Sequence, residues 1–278
     1  MKKIFNKLTT RIIVAVIGIP AIIFVSLFGK ILFLVFAALL GLLGYYEFSR
    51  MARNRKYYSN KLIGLISVAA VISNAYFHYI DLHVLVILII SVLLIFELFR
   101  NRESAIANLG TTLVGIFYIG LFSASLVDLR EFYKESAFTY GQGGYLIISI
   151  LASIWICDSA AYFIGTAFGN NKILPRVSPN KSWEGSFAGF IFAIIVMLAC
   201  KPIIADFLEW RDAIVIGLII GTFGQAGDFI ESLLKRESHV KDSSSIIPGH
   251  GGVLDRFDSL LFTAPLVYLY LNFLTTAR

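Results

Sequence analysis

Cysteine, histidine and charge are scarce in this chain. Its 278 residues include two cysteines and four histidines, and 15% of residues are charged against 58% that are apolar. Cys157 and Cys200 both fall inside long apolar runs. Neither has metal-ligand spacing to another Cys or His, so they read as small buried apolar residues and not as a zinc site or a disulfide frame. There is no GxxxxGK[ST] loop and no H-E-x-x-H helix, and the segment GHGGVL lacks the spacing and strand context of a dinucleotide-binding turn. So little charge excludes the one or two soluble domains that the length alone would allow. The net charge of +6 is not gathered into a soluble patch. Its basic residues lie between apolar runs, a pattern that orients a chain in a membrane and gives no ground for a nucleic-acid partner.

What the chain has in abundance is bilayer-length apolar sequence. A helix needs about 20 mostly apolar residues to cross roughly 30 Å of hydrocarbon. Nine segments approach this, at about 12–28, 31–47, 62–78, 84–98, 105–127, 145–168, 185–200, 213–230 and 260–275. The expected fold class is therefore all-α, a polytopic transmembrane helical protein of about nine spans. The opening MKKIFNKLTTRIIVAVIGIPAIIFVSLF has the basic start of a signal peptide. No small-x-small cleavage site follows it, and a second run begins after Gly29 and Lys30, so it reads as a retained first span. The fifth segment carries Asn108 among small residues and is expected to pack on other helices and not to face lipid all round.

With the N-terminus in the cytoplasm, 18 of the 24 Lys and Arg residues fall inside and six outside: Lys30, Arg130, Lys134, Lys201, Arg211 and Arg278. That is a clear positive-inside bias. It places the two longest inside segments, 169–184 and 231–259, at the cytoplasmic boundary. The chain divides accordingly into N-terminal helices 1–104 and a C-terminal region 105–278 that carries both loops. The outside segment 128–144, with Gly141, Gly143 and Gly144, reads as a connector. RMARNRKYYSNK at 50–61 reads as an orientation signal beside anionic lipid. The sequon NKS at 180–182 is set aside, because a cytoplasmic loop does not meet the glycosylation machinery.

Ionisable residues within spans are costly and become functional candidates by default. Two stand out. Asp158 lies in WICDSAAYFIG with Tyr162 one turn on, and Asp228 lies in GTFGQAGDFIESLLKR. A helix through the latter puts Asp228, Glu231, Ser232 and Lys235 on one face. Further on, KDSSSIIPGHGGVLDRFDS places Gly249, Gly251 and Gly252 around His250. Glycines there permit backbone geometries closed to other residues and let main-chain N–H groups approach a ligand. If a helix restarts after them, Asp255 and Asp258 share a face and Arg256 points elsewhere. Carboxylates near Lys235, Arg236, Lys241 and Arg256 suit a divalent cation on phosphate oxygens, since Mg²⁺ takes one or two carboxylates plus phosphates and water. The loop GNNKILPRVSPNKSWEGS adds Lys172, Arg176 and Lys181 as candidates for substrate binding. The residues alone thus point to Mg²⁺-dependent phosphoryl chemistry at the cytoplasmic face of a membrane.

Residues 232–258, SLLKRESHVKDSSSIIPGHGGVLDRFD, closely resemble the signature of the phosphatidate cytidylyltransferases, or CDP-diacylglycerol synthases, and match it at every fixed position. DSAAYFIG, SPNKSWEG and GDFIES resemble further motifs of that family. The resemblance implies transfer of CMP from CTP to phosphatidate, giving CDP-diacylglycerol and pyrophosphate, with Mg²⁺ as cofactor and membrane lipid as partner. It also implies a homodimer. Carried over to this chain, Asp228 and Asp255 are expected as metal ligands and catalytic groups, with Asp258 and Asp158 as supporting or second-site carboxylates. Lys235, Arg236, Lys241 and Arg256 are expected to hold phosphates or neutralise the leaving group. Asn180, Lys181, Ser232, Gly251 and Gly252 are expected at the substrate, and His250 either contacts it or fixes the loop. The short N-terminus and lean chain suggest a bacterial cytoplasmic (inner) membrane. An ion-coupled carrier is the rival binding class, which an internal inverted repeat would favour. A CDP-alcohol phosphotransferase is the rival enzyme, but its D-G-x-x-A-R motif is missing.

Overall fold

A computed structural model of the chain describes residues 2–135 and 139–277. Residues 136–138 of the expected outside connector, and Arg278 of the outward charge count, lie outside the described residues. Eleven α-helices are present among those described: α1 (Lys2–Phe28), α2 (Lys30–Arg53), α3 (Lys61–Phe77), α4 (Leu82–Leu98), α5 (Ala105–Val114), α6 (Phe122–Arg130), α7 (Tyr140–Phe168), α8 (Trp183–Ile203), α9 (Trp210–Ile219), α10 (Gln225–Glu237) and α11 (Leu254–Ala277). A π-helical stretch, Gly115–Leu121, joins α5 to α6, and another, Ile220–Gly224, joins α9 to α10.

Each expected apolar segment is helical, to within a residue at its ends. Six helices are long and apolar enough to cross a membrane, counting Ala105–Arg130 and Trp210–Glu237 as continuous rods, while α3 and α4 are apolar but only 17 residues long. The chain is thus an all-helical, multi-pass membrane protein by length and composition. Helix starts follow local chemistry. Asn60, Asp81, Ser104 and Ser182 each accept a hydrogen bond from a first-turn N–H of the helix they precede, groups that otherwise lack a partner. Gly29, at φ 67°, separates α1 from α2 in a single residue, a backbone region that glycine enters at no steric cost.

Contacts divide the chain into two compact units, each drawn from separated stretches: residues 1–25, 29–128 and 234–256 in the first, and 26–28, 129–233 and 257–278 in the second. In the first unit, Ala37 and Tyr45 of α2, Val68, Val71 and Ile72 of α3, Leu85, Ile89 and Leu93 of α4, and Ile116 form one apolar core. Tyr45 is fully buried, and its hydroxyl donates to the carbonyl of Asn60 at 3.0 Å. The loop after α2 is stitched to α5: Tyr58 N–H donates to Asn108 Oδ1 and Asn60 N–H to Thr112 Oγ1, both at 2.8 Å. Asn108 is itself wholly buried and donates to Glu97 Oε1 and the Arg102 carbonyl. The expectation that this helix packs on protein around Asn108 holds.

In the second unit, glycines let helices approach closely, as small residues do in membrane bundles. A Cβ on Gly185 would lie 2.5 Å from the Ala161 carbonyl, and one on Gly217 would lie 2.7 Å from the Ile194 Cα. Ser153 of α7 donates to the Ala193 carbonyl of α8 at 2.9 Å. Arg130 is fully buried, donates to the carbonyls of Ser26, Leu27 and Tyr140, and stacks on the Tyr140 ring. Cys157 and Cys200 are both free thiols, Cys157 buried as expected and Cys200 only partly so.

Candidate active site

The expected site residues fall into two sets, one in each unit. In the second unit, α10 does run through Asp228, Glu231 and Ser232, so the face inferred from spacing exists. Gly227 brings α10 hard against α11, since a Cβ there would lie 2.7 Å from Phe262 Cβ and 2.8 Å from the Asp258 carbonyl. That contact sets Asp258 in the field of Asp228, Glu231 and Asp158. Asp228 forms an ion pair with Lys181, whose ammonium also lies 4.3 Å from the Phe229 ring centroid. Ser232 Oγ sits 3.5 Å from Asp228 Oδ1, at the edge of hydrogen-bonding range. Four acidic side chains and one lysine therefore share one neighbourhood, with Asp228 and Asp258 half-buried and Asp158 exposed.

The loop 169–184 is folded and not loose. Ile173 N–H donates to the Lys181 carbonyl and Trp183 N–H to the Asn171 carbonyl, while Glu184 accepts from both the backbone and the side chain of Asn171. These bonds aim Lys181 at Asp228. Lys172 turns back on its own loop, toward the carbonyls of Gly169 and Asn180. Asn180 and Arg176 are exposed.

In the first unit, α11 begins at Leu254, so Asp255 occupies its first turn as the spacing implied. Asp255 Oδ1 accepts from Lys235 Nζ at 2.7 Å, and Oδ2 accepts from Ser243 N–H and Gly252 N–H at 2.9 and 2.7 Å. Ser243 Oγ, 2.8 Å from Oδ2, shares its one proton between Asp255 and Glu47. Burial alone would raise the Asp255 carboxyl, but Lys235, the Gly252 N–H and Ser243 outweigh it and hold its pKa at about 2. The glycine-rich turn has the backbone freedom expected of it: Gly249 and Gly251 sit at φ 75° and 90°, and Ile247 N–H donates to the Gly251 carbonyl at 2.9 Å. Arg256 Nε donates to the His250 carbonyl and Arg11 Nε to the Gly249 carbonyl, both at 2.8 Å. The His250 Nδ1 atom is buried with no hydrogen-bond partner among the described residues, an arrangement that leaves a polar atom for something else to satisfy. Arg236 and Lys241 are exposed, Arg236 reaching the Val240 carbonyl.

One residue of this region escapes a reading of the sequence. Glu47 of α2 is wholly buried and accepts from Ser243 Oγ, Ser244 Oγ, Val253 N–H and Leu254 N–H. Its signal was an acidic residue at the last position of an apolar segment, which reads as the polar edge of a span.

Taken together, these features define a multi-pass helical membrane protein that brings carboxylates and lysines together and carries a braced glycine-rich turn. The chain belongs to the cytidylyltransferase family, whose family model matches residues 9–274, and it is accordingly a nucleotidyltransferase. It is 31% identical over 267 residues to the phosphatidate cytidylyltransferase of Bacillus subtilis (strain 168), covering 94% of this chain and 96% of that one. It is 32% identical over 268 residues to the protein of that name from Staphylococcus epidermidis (strain ATCC 12228 / FDA PCI 1200), covering 94% and 98%. The protein of that name from Brucella suis biovar 1 (strain 1330) is 32% identical over 270 residues, covering 95% and 93%.

Proposed function

We propose that this protein transfers CMP from CTP to phosphatidate, releasing pyrophosphate and leaving CDP-diacylglycerol in the membrane. The observation that carries this reading is the match over 94% of the chain to proteins named phosphatidate cytidylyltransferase. A phosphate oxygen of the lipid forms a bond to the α-phosphorus of CTP. The bond from that phosphorus to the oxygen bridging to the β-phosphorus breaks, and pyrophosphate leaves with the electron pair. Such a transfer needs little covalent help and is governed by positioning and charge neutralisation.

The donor chemistry fits Mg²⁺, which takes hard oxygens and accepts few protein ligands when phosphate supplies others. Among the described residues no group of three or more His, Cys, Asp or Glu side chains is arranged to hold a metal by itself. Asp228 and Asp255 are the proposed ligands. Bound there, Mg²⁺ would neutralise charge on the phosphates. Asp258 and Asp158 support Asp228. Lys181, Lys235, Arg236, Lys241 and Arg256 offset phosphate charge, and Asn180, Ser232, Gly251 and Gly252 contribute substrate contacts. His250 Nδ1 is a ready partner for a substrate group.

The finer topology belongs to the same proposal: nine spans, the N-terminus inside, and the motif-bearing loops of the 105–278 region at the cytoplasmic face of a bacterial inner membrane. A homodimer is proposed from family resemblance alone. The test is to supply purified protein with labelled CTP, phosphatidate and Mg²⁺, with no alcohol acceptor. A chloroform-soluble labelled product is expected. Its absence, or its appearance only with an added alcohol, would return the choice to a carrier or a CDP-alcohol phosphotransferase.

A further inference from the structure

Glu47, at the end of an apolar span, is wholly buried. A carboxylate removed from water is strongly disfavoured unless its lone pairs are satisfied. All four of its partners come from one short stretch far along the chain. Oε2 accepts from Ser243 Oγ at 3.0 Å and Leu254 N–H at 2.9 Å, and Oε1 accepts from Ser244 Oγ at 2.6 Å and Val253 N–H at 2.9 Å. The Leu254 amide opens α11, where the first N–H groups lack helical partners and favour a negative charge.

A second carboxylate grips the same stretch from its other side. Asp255 accepts from the N–H groups of Ser243 and Gly252. Ser243 Oγ lies within hydrogen-bonding distance of both acids, at 3.0 Å from Glu47 and 2.8 Å from Asp255, and so couples them. The space between is closed. A Cβ on Gly252 would come 2.0 Å from Ser243 Oγ and 2.6 and 2.7 Å from the two Glu47 oxygens. No side chain enters position 252 without displacing Glu47 or the loop.

We infer that Glu47 is a positioning residue for the transfer reaction: it holds the 243–254 loop in the shape that presents Asp255 and His250, without itself meeting substrate. This inference rests on the proposed cytidylyltransferase activity. Its structural half can be measured without that activity. A displacement of about 1 Å at a positioned group can cost about a hundredfold in rate, so release of one end of this clamp should fall on turnover.

The experiment compares the purified full-length protein with its Glu47→Ala and Glu47→Gln variants by amide hydrogen exchange and by steady-state kinetics over CTP, phosphatidate and Mg²⁺. In Glu47→Ala, exchange at Ser243, Gly252, Val253 and Leu254 should accelerate by about tenfold or more, with α2 and α3 as protected as in the wild type. The turnover number should fall about a hundredfold, with a smaller change in the KM for CTP. Glu47→Gln keeps one acceptor oxygen and should recover part of both effects. Ser244→Ala removes one donor to Glu47 Oε1 with Glu47 intact, at a residue given no substrate role. It should reproduce the faster exchange and part of the loss of turnover, and it decides the matter if Glu47→Ala fails to fold. Wild-type turnover in a folded Glu47→Ala protein overturns the inference, and so does lost turnover with the loop amides still protected. A wild-type protein that makes no CDP-diacylglycerol would remove the reaction from the inference, and the exchange data alone would then decide whether Glu47 holds the loop.

Discussion

Asp228 and Asp255 carry the same charge in unlike surroundings, and their substitutions should differ accordingly. Asp228 faces one lysine and a distant serine hydroxyl, whereas Asp255 is held by Lys235, two backbone N–H groups and the Ser243 hydroxyl it shares with Glu47. Replacing either by Asn should lower turnover about a hundredfold or more, because a charge aimed at phosphate and metal is lost. Only Asp255→Asn should also destabilise the fold, by about 3 kcal/mol, since it breaks an ion pair with Lys235 in which the side chains are only 12% and 6% exposed. CDP-diacylglycerol formation across a Mg²⁺ titration, with a melting curve for each variant, separates the two effects. Near-normal turnover in both would remove them from the catalytic centre. At this scale the sequence was legible where residues act through their neighbours in the chain. The helix face at Asp228 and the restart at Asp255 follow from spacing. Glu47 was not legible, because its role exists only through partners 196 to 207 residues away.

Among the helices, close approach is decided by what is missing. A Cβ on Gly64 of α3 would lie 1.9 Å from the Tyr45 hydroxyl, which is itself engaged with Asn60, whereas a Cβ on Gly110 of α5 meets nothing within 4 Å. Gly64→Ala should therefore cost about 1–3 kcal/mol through overpacking. Gly110→Ala should be neutral or stabilising by about 0.5–1 kcal/mol, as alanine is in a helix. The two melting temperatures in detergent test the packing around Tyr45 directly, and equal shifts would contradict it. Apolar run length sufficed to locate the helices, since nine segments of near-spanning size have few other stable forms in a bilayer. The two π-helical stretches left no such trace. GIFYIGL and IGTFG differ little in composition from the α-helices on either side, and one extra residue in a turn does not disturb an apolar pattern.

For the whole molecule, the division into units was invisible in the sequence, because each unit is assembled from separated stretches of chain. The proposed nine-span arrangement with the N-terminus inside puts 18 of the 24 basic residues on one side. Reporter fusions at positions 55, 175 and 245 should all report cytoplasm. A periplasmic signal at 175 or 245 would remove both the proposed topology and the proposed cytoplasmic site. The thiols give a second check. Cys157 is buried and Cys200 partly so, both unpaired, and a Cys157→Ser, Cys200→Ser double variant should match the wild type in activity and gel mobility under oxidising conditions.

The shortness of α4 reaches beyond the protein to its solvent. Seventeen residues rise only about 25 Å, less than the roughly 30 Å of an average hydrocarbon layer. Ile87, Leu88, Leu94 and Ile95 are exposed along it, and in the proposed nine-span arrangement they would meet acyl chains. A short apolar helix obliges the surrounding lipid to thin, at a modest cost per ångström of mismatch. The first unit should therefore be most stable in bilayers with shorter chains and lose stability stepwise as they lengthen, a dependence readable from unfolding in vesicles of graded thickness. On the proposed activity, the enzyme would then sense the thickness of the membrane whose lipids it helps to make.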